Sequence, residues 1–566
     1  MVMMFRKTIY KGIMKKYFII ALAALGFAAC AEKMNDGSSP EQTGELEQSY
    51  IAINLMSSEL DTRADDPVLE DGEEAEYAVN TVHFFFFRQG APFAVNAFPG
   101  TAPGGTRNWQ QATNVTFTDD LDNDNISKYS NVVLVLDNYK GQYPDQVVAV
   151  INWNPPAEKF YTLDELQKTL SELQVNGNGF VMSNSVYRSG EGKVINATSI
   201  PGTYPTEAEA KADGHPVDIY VERIAAKVTV NTPTTNTTNW DSTKGFDTGK
   251  SSQLIALDEK KVYVQIENWS LFNARTKSNL IKSIDPSWTD DALGLNWNDS
   301  PRFRSYWAAA DTYNNTYINE NKFNWVEGYE LGAAEYCGEN TTSTVGERTK
   351  LILKGQLVDE AGNAFELVKW NGQEMVQVDN LKKAVAAQLQ YLVYSYTYTS
   401  KDDQTTYTYS PITDEDIECI SGANEGAPDN VKNYQVFFQL KTGLNKNWAV
   451  KSGDKWDYKQ DSQLNEYLSL NIPPATVYSD GQTYYYIDIK HLGVDESKPA
   501  RYGIVRNHIY DIEIQSIKGY GTPVFIPGGN IVVPETPIEE EGVYVAAKIN
   551  VLSWRVVKQG VNIEVQ

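Results

Sequence analysis

Residues able to do chemistry are few and scattered. Of 566 positions only 4 are His and 3 are Cys. His83, His215, His491 and His508 never fall into a His-Glu-x-x-His pattern, and no serine sits in a Gly-x-Ser-x-Gly elbow, so zinc hydrolysis and a serine triad lack their signatures. No Gly-x-x-x-x-Gly-Lys-Ser/Thr loop is present, and Gly177-x-Gly179 runs on to Met182 where a dinucleotide loop needs its third glycine. Asp120-Leu121-Asp122-Asn123-Asp124 opens like a calcium loop, since alternate carboxylates offer oxygen to a hard cation. Asn125 replaces the turn glycine and Asn131 the closing glutamate. Asp120, Asp122 and Asp124 therefore form an incomplete calcium candidate, and a solvated acidic turn is the plainer reading. The 74 acidic residues single out no carboxylate pair for glycoside hydrolysis. The expectation is a chain with no catalytic residues and no cofactor.

Charge excludes another class. Against those acids stand 49 Lys+Arg, a net charge of -25, which is the wrong sign for displacing counterions from a phosphate backbone, so no nucleic-acid partner is expected. With 34 Tyr and 12 Trp the chain has far too many aromatics for an acidic disordered polymer. Three cysteines allow at most one bridge, and Cys337 with Cys419 is the pair available in an oxidising compartment.

Two sites of processing chemistry remain. Basic Arg6, Lys7, Lys11, Lys15 and Lys16 lead into an apolar run from Tyr17 to Ala29, short of the ~20 residues a membrane span needs. Residues 1–29 thus read as a signal peptide. Leu25-Gly26-Phe27-Ala28-Ala29-Cys30 looks like a lipobox, in which Cys30 is acylated and its chains hold the protein to a bilayer at about 0.8 kcal/mol per buried methylene. Ala31–Gln48 is a polar tether. Further on, Leu60-Asp61-Thr62-Arg63-Ala64-Asp65-Asp66-Pro67 sets one basic residue in an acidic, turn-prone segment, open to an Arg-specific protease cutting between Arg63 and Ala64.

The elements that must carry these sites are mostly strands. Ser49–Leu55 alternates so that Ile51, Ile53 and Leu55 share one face. Thr81–Phe87, Asn131–Leu136, Gln146–Asn152, Asp218–Val230, Lys261–Glu267, Lys350–Leu357, Tyr434–Leu440, Thr483–Lys490 and Ile509–Ile517 read likewise. A capped helix starts after Thr162, with Leu163, Leu166, Leu170 and Leu173 at helical spacing, and a second covers Asn380–Leu389. Many short strands and few helices imply an all-β chain of sandwich domains. The polar run Thr232–Asn239 marks a domain boundary, and Pro-, Gly- and Glu-rich 519–541 is a linker to the last segment.

That last segment, 542–566, is itself a strand. Val543, Val545, Ala547, Ile549 and Val551 share a face, which then flips to Leu552, Trp554 and Val556 as a bulge would make it. Cutting after Arg63 would release the N-terminal strand from a sandwich and leave unpaired edges plus an empty apolar slot. The C-terminal strand of another copy could fill that slot by strand addition. Five buried apolar side chains at roughly 1.5–3 kcal/mol each give an upper estimate of about 8–15 kcal/mol. Such a head-to-tail join does not close, so its product is a filament.

These residues resemble the fimbrillins of type V pili of anaerobic Gram-negative bacteria, most closely the Mfa-type major subunits. The resemblance rests on Leu25–Cys30, Thr62-Arg63-Ala64, Phe180–Asn184, Val221–Val228, Glu267–Asn273, Tyr336–Thr341, the closing Val551–Val556 and, most specifically, Tyr502-Gly503-Ile504-Val505-Arg506-Asn507-His508-Ile509-Tyr510. It implies two transthyretin-like Greek-key β-sandwich domains, export to the outer membrane as a lipoprotein, Arg-specific cleavage, and polymerisation by donor-strand exchange. The implied partners are further copies of the chain, accessory and anchor fimbrial subunits and the protease. The implied role is adhesion and biofilm formation from a cell-surface fimbrium, with Cys337 a structural residue and His508 packed in a strand. The divisions become 1–29 signal, 30–63 propeptide, 64–231 and 232–518 sandwich domains, 519–541 linker and 542–566 donor strand. A linker shorter and richer in Glu than the family's long Pro-Asp run leaves an accessory or anchor subunit as an alternative. A surface glycan-binding lipoprotein using Trp153, Trp240, Trp288 and Trp297 is another.

Overall fold

A run of apolar residues without alternation must be covered on both faces to be a stable strand. The clearest case here is Val82–Arg88 (β2), a Phe-rich strand whose Phe84 and Phe86 enter one core while Phe85 and Phe87 enter another. The computed structural model describes residues 47–58, 76, 78–95, 107–112, 115, 118–119, 126–138, 143–174, 179–185, 187–188, 194–252, 260–283, 329–342, 344–375, 377–491, 502–526 and 544–553. All lie in the second of two units, Glu47–Gln566. The described chain is all-β in character, with only short helices.

The N-terminal part is one 10-stranded sheet. With Glu47–Ser58 as β1, Ile126–Asn138 as β3, Gln146–Ile151 as β4, Met182–Asn184 as β5 and Val217–Arg223 as β6, its order is β2-β4-β5-β6-β1-β3, with shorter strands at the flanks. Val132, Leu134 and Leu136 of β3 share a core with Val82, Val147 and Ile219, so strands toward both ends of the sheet contribute to one interior. Its other face is covered by Tyr161, Phe180, Leu280 and helix Leu163–Lys168 (α1). The capping box of Thr162 and Glu165 forms as expected, but the helix ends at Lys168. Leu170–Glu172 is instead a strand, drawn off by pairing with Lys277–Asn279.

The predicted single strand Asp218–Val230 divides in two. Ile224 carries the chain from β6 into Ala225–Asn231 (β7), which belongs to a different sheet. The change of sheet thus precedes the polar run at Thr232. Gly245–Ser252 (β8), Lys260–Phe272 (β9), Ala334–Gly338 (β10) and Lys350–Val358 (β11) continue a true sandwich. The chain then leaves it for a separate module that keeps its own core of Leu381, Val385, Trp448, Leu464 and Leu468. There, helix Val378–Leu389 (α2) matches the expected one, while Asp461–Asn471 (α3) was not anticipated. The module's main sheet has four strands, Val393–Lys401 (β12), Gln404–Pro411 (β13), Asn447–Ser452 (β14) and Lys455–Lys459 (β15), in the order β13-β12-β14-β15.

The chain returns as Gln482–Asp488 (β16), His508–Lys518 (β17) and Tyr544–Ser553 (β18). Sheet β10-β7-β17-β18 packs on sheet β8-β9-β11-β16 across Val228, Ile512, Ile514, Val264, Trp269 and Leu353. The stretch read as a linker from 519 begins inside this core. Tyr520 is buried, and Thr522–Pro523 pairs with β16.

Candidate functional site

Two strands near the chain's ends define the site. β1 is an interior strand, parallel to β6 from Ile53↔Val217 to Ser57↔Val221 and antiparallel to β3 from Glu47↔Asn138 to Ser58↔Ile126. Ala52 is buried there. The side chains of Ile51, Ile53 and Leu55 lie outside the described residues. On either side of β1 the sheet presents buried Leu134 and Leu136 on β3 and Val217, Ile219 and Val221 on β6. The space between β3 and β6 is therefore apolar and bordered by two backbone edges.

β18 is a terminal strand of its sheet, bonded to β17 alone in the strand order. Val545 faces Ile517 in register, Ala547 faces Ile514, Ile549 faces Ile512, Val551 faces Tyr510 and Leu552 faces Ile509. A bulge was expected at Val551/Leu552. Pairing instead runs straight through both, and the irregularity falls between Ile514 and Ser516 of β17, opposite Ala547 and Ala546. The β18 side chains, together with Val543, Trp554 and Val556, lie outside the described residues, as do Cys30, Arg63, Ala64, the calcium candidate Asp120, Asp122 and Asp124, Trp288 and Trp297. Trp153 packs against Phe85 and Tyr161, and Trp240 against Phe246, each half-buried.

The start of β17 is fixed by a buried ionic joint. Arg506 Nη2 donates to Glu339 Oε2 at 2.7 Å and to the Asn279 carbonyl at 2.7 Å, and Nη1 donates to the Leu280 carbonyl at 3.3 Å. Neither side chain of the Arg506–Glu339 pair is exposed. Lys282 Nζ stands 3.2 Å from Glu222, also buried. Burial opposes ionisation of Glu339, but the Arg506 charge and hydrogen bond outweigh it and hold that carboxyl below its usual range. For Glu222 burial prevails over Lys282 and Arg506 and pushes the carboxyl up. Asn507, in the left-handed region at φ 56, turns the chain into β17, and its side-chain oxygen accepts from the Arg223 N–H at 3.1 Å. Its own N–H donates to the Ala225 carbonyl. The joint thereby ties the end of β6 to the base of the strand that carries β18.

The histidines are less dispersed than the sequence suggests. The rings of His491 and His508 meet edge to face at 4.9 Å, and Tyr510 Oη bridges His491 Nδ1 and the Val505 N–H. Burial lowers the His508 pKa to about 4, as befits a packed neutral imidazole. Cys337 and Cys419 are both free thiols, and burial pushes Cys419 up to about 12. The pair does not bridge. Arg506 lay within the sequence's most specific stretch, but its partners Glu339 and Asn279 are too distant along the chain for any local pattern to show.

Residues 476–560 match the family model described as major fimbrial subunit protein type IV, fimbrillin, C-terminal. That stretch runs through β16, β17 and β18, so the resemblance to fimbrillins is borne out over the part of the chain that bears the terminal strand. No curated protein matches the chain. Among solved structures it is similar to a proposed cell adhesion protein from Parabacteroides distasonis ATCC 8503, at 12% identity and TM-score 0.37 over 91% of this chain and 100% of that one. It is also similar to a fimbrilin from Porphyromonas gingivalis W83, at 12% identity and TM-score 0.36 over 90% and 98%. A third match is the tip fimbrial protein Mfa3 from Porphyromonas gingivalis, at 11% identity and TM-score 0.23 over 90% and 100%. At these scores the likenesses decide nothing further about this chain.

Proposed function

We propose that this chain is a subunit of a cell-surface fimbria, exported as a lipoprotein on Cys30, cut between Arg63 and Ala64 by an Arg-specific protease, and polymerised by strand exchange. Its partners are other copies of itself and, at the ends of the fibre, accessory and anchor subunits. Its role is structural rather than enzymatic, in adhesion and biofilm formation. In this reading 64–231 and 232–518 act as two bodies, which the change of sheet at Ile224 supports.

One observation carries the reading. A 12-residue strand near one end of the chain fills an interior slot, and a 10-residue strand near the other end is held on one side only. Removing β1 would leave the facing edges of β3 and β6 unpaired above buried Leu134 and Ile219, a state that recruits another strand. β18 of a second copy has the length to enter. Its departure from its own β17 would open one edge, whereas its arrival would close two.

The test uses purified precursor and its Arg63→Ala variant treated with an Arg-specific protease. Expected is conversion of the wild-type chain to polymers that resist dissociation, with the variant left monomeric on the same gel. A cleaved wild-type chain that stays monomeric would end the strand-exchange reading.

A further inference from the structure

The inserted module carries an aromatic surface that the strand-exchange reading does not use. β12 and β13 form a hairpin whose turn residues Asp402 and Asp403 both have positive φ, 52° and 63°, the type I′ geometry that suits a tight hairpin. Alternation then sends Val393, Trp448 and Val450 into the module's core. The opposite face receives the tyrosines at 394, 396 and 398 of β12, those at 407 and 409 of β13, and Trp456 with Tyr458 of β15.

These rings are organised against one another. Tyr409 stacks on Trp456 at 3.7 Å with 4° between their planes, although the two sit on opposite margins of the sheet. The two margins therefore approach each other on this face, with Ala449 in register between Tyr394 and Tyr458. Tyr398, Tyr407 and Tyr458 remain 60%, 42% and 45% exposed there. Neighbouring centroids lie 5.6 Å apart for Tyr407–Tyr458 and 6.1 Å apart for Tyr398–Tyr407. Tyr409 and Tyr458 hydroxyls bond each other at 2.9 Å.

We propose that this aromatic face binds a neutral polysaccharide, whose sugar rings stack on Tyr398, Tyr407 and Tyr458. The C–H bonds of a pyranose face are electron-poor and sit well over the negative face of an aromatic ring. Rings held in place by their neighbours lose little freedom on binding. Charge supports a neutral ligand. On a chain of net charge -25, the sheet positions on this face carry no carboxylate, since Asp457 falls on the other side with Trp448 and Val450, and their one cation, Lys451, stands over the Trp456 ring at 5.5 Å. The exposed tyrosine hydroxyls can pair with the hydroxyls a sugar offers along its rim.

The test is affinity electrophoresis and Trp fluorescence of the full chain with cellohexaose, mannohexaose and maltohexaose as probes. Expected is retardation by at least one hexasaccharide, with Trp456 emission shifting on binding. Tyr398→Ala and Tyr407→Ala should each weaken it about three- to tenfold, while Tyr407→Phe, which keeps the ring, should bind within about twofold of wild type. Unchanged melting temperatures would exclude misfolding, because the rings altered are exposed. No binding to any of the three probes, or equal binding by the Ala variants, would overturn the proposal. So would a dimer of the wild-type chain that Tyr407→Ala abolishes, since the face would then be a contact between copies.

Discussion

β1 and β18 are both long strands near a chain end, yet they are held in opposite ways. β1 has a neighbour on each side and sits over a buried apolar floor. β18 has one neighbour, β17, and ends its sheet. An interior strand cannot leave without opening two edges, whereas a terminal strand opens only one. The proposed cut between Arg63 and Ala64 would act on the strand held on both sides and leave the one held on a single side uncut.

The largest expected effect follows from breaking that contrast directly. A chain lacking residues 47–58 should lose its monomeric state and associate through β3 and β6, read by light scattering after size-exclusion chromatography. A stable monomer would mean that the sheet closes its own gap. Next comes Arg506→Ala, which strands Glu339 in the buried joint at the base of β17. It should cost about 3–5 kcal/mol, measured by denaturant unfolding, and loosen β18 along with β17 in hydrogen exchange. The smallest effect is truncation after residue 541. That chain should stay monomeric and folded, opening only the one edge of β17 that β18 covers, and its denaturant midpoint should fall less than that of Arg506→Ala. Unfolding on truncation would put β18 on a par with β1 and remove the asymmetry.

Local patterns in the sequence reached a fair distance. Alternation placed β1 and β11, and the capping box placed the start of α1, because each rests on residues within one or two turns of chain. The end of α1 was missed because the pairing of Leu170 with Asn279 lies far off in sequence. The β12–β13 hairpin was legible in Tyr394-x-Tyr396-x-Tyr398 and Tyr407-x-Tyr409 flanking an Asp-Asp turn, but went unread. The ionic joint was not legible, since Arg506 and Glu339 are 167 positions apart.

The sequence by itself determined that the chain is all-β, that it lacks the spacing of the catalytic and nucleotide-binding motifs considered above, and that it resembles the fimbrillins in motifs from Leu25–Cys30 to Val551–Val556. Those properties depend on composition and on short-range periodicity, which a linear string records. Only the tertiary structure decided which strand is interior and which is terminal, where the chain changes sheets, and which rings share an exposed face. Each of these depends on which strands become neighbours, and strand pairing is settled by burial across the whole fold rather than by the residues of any one strand.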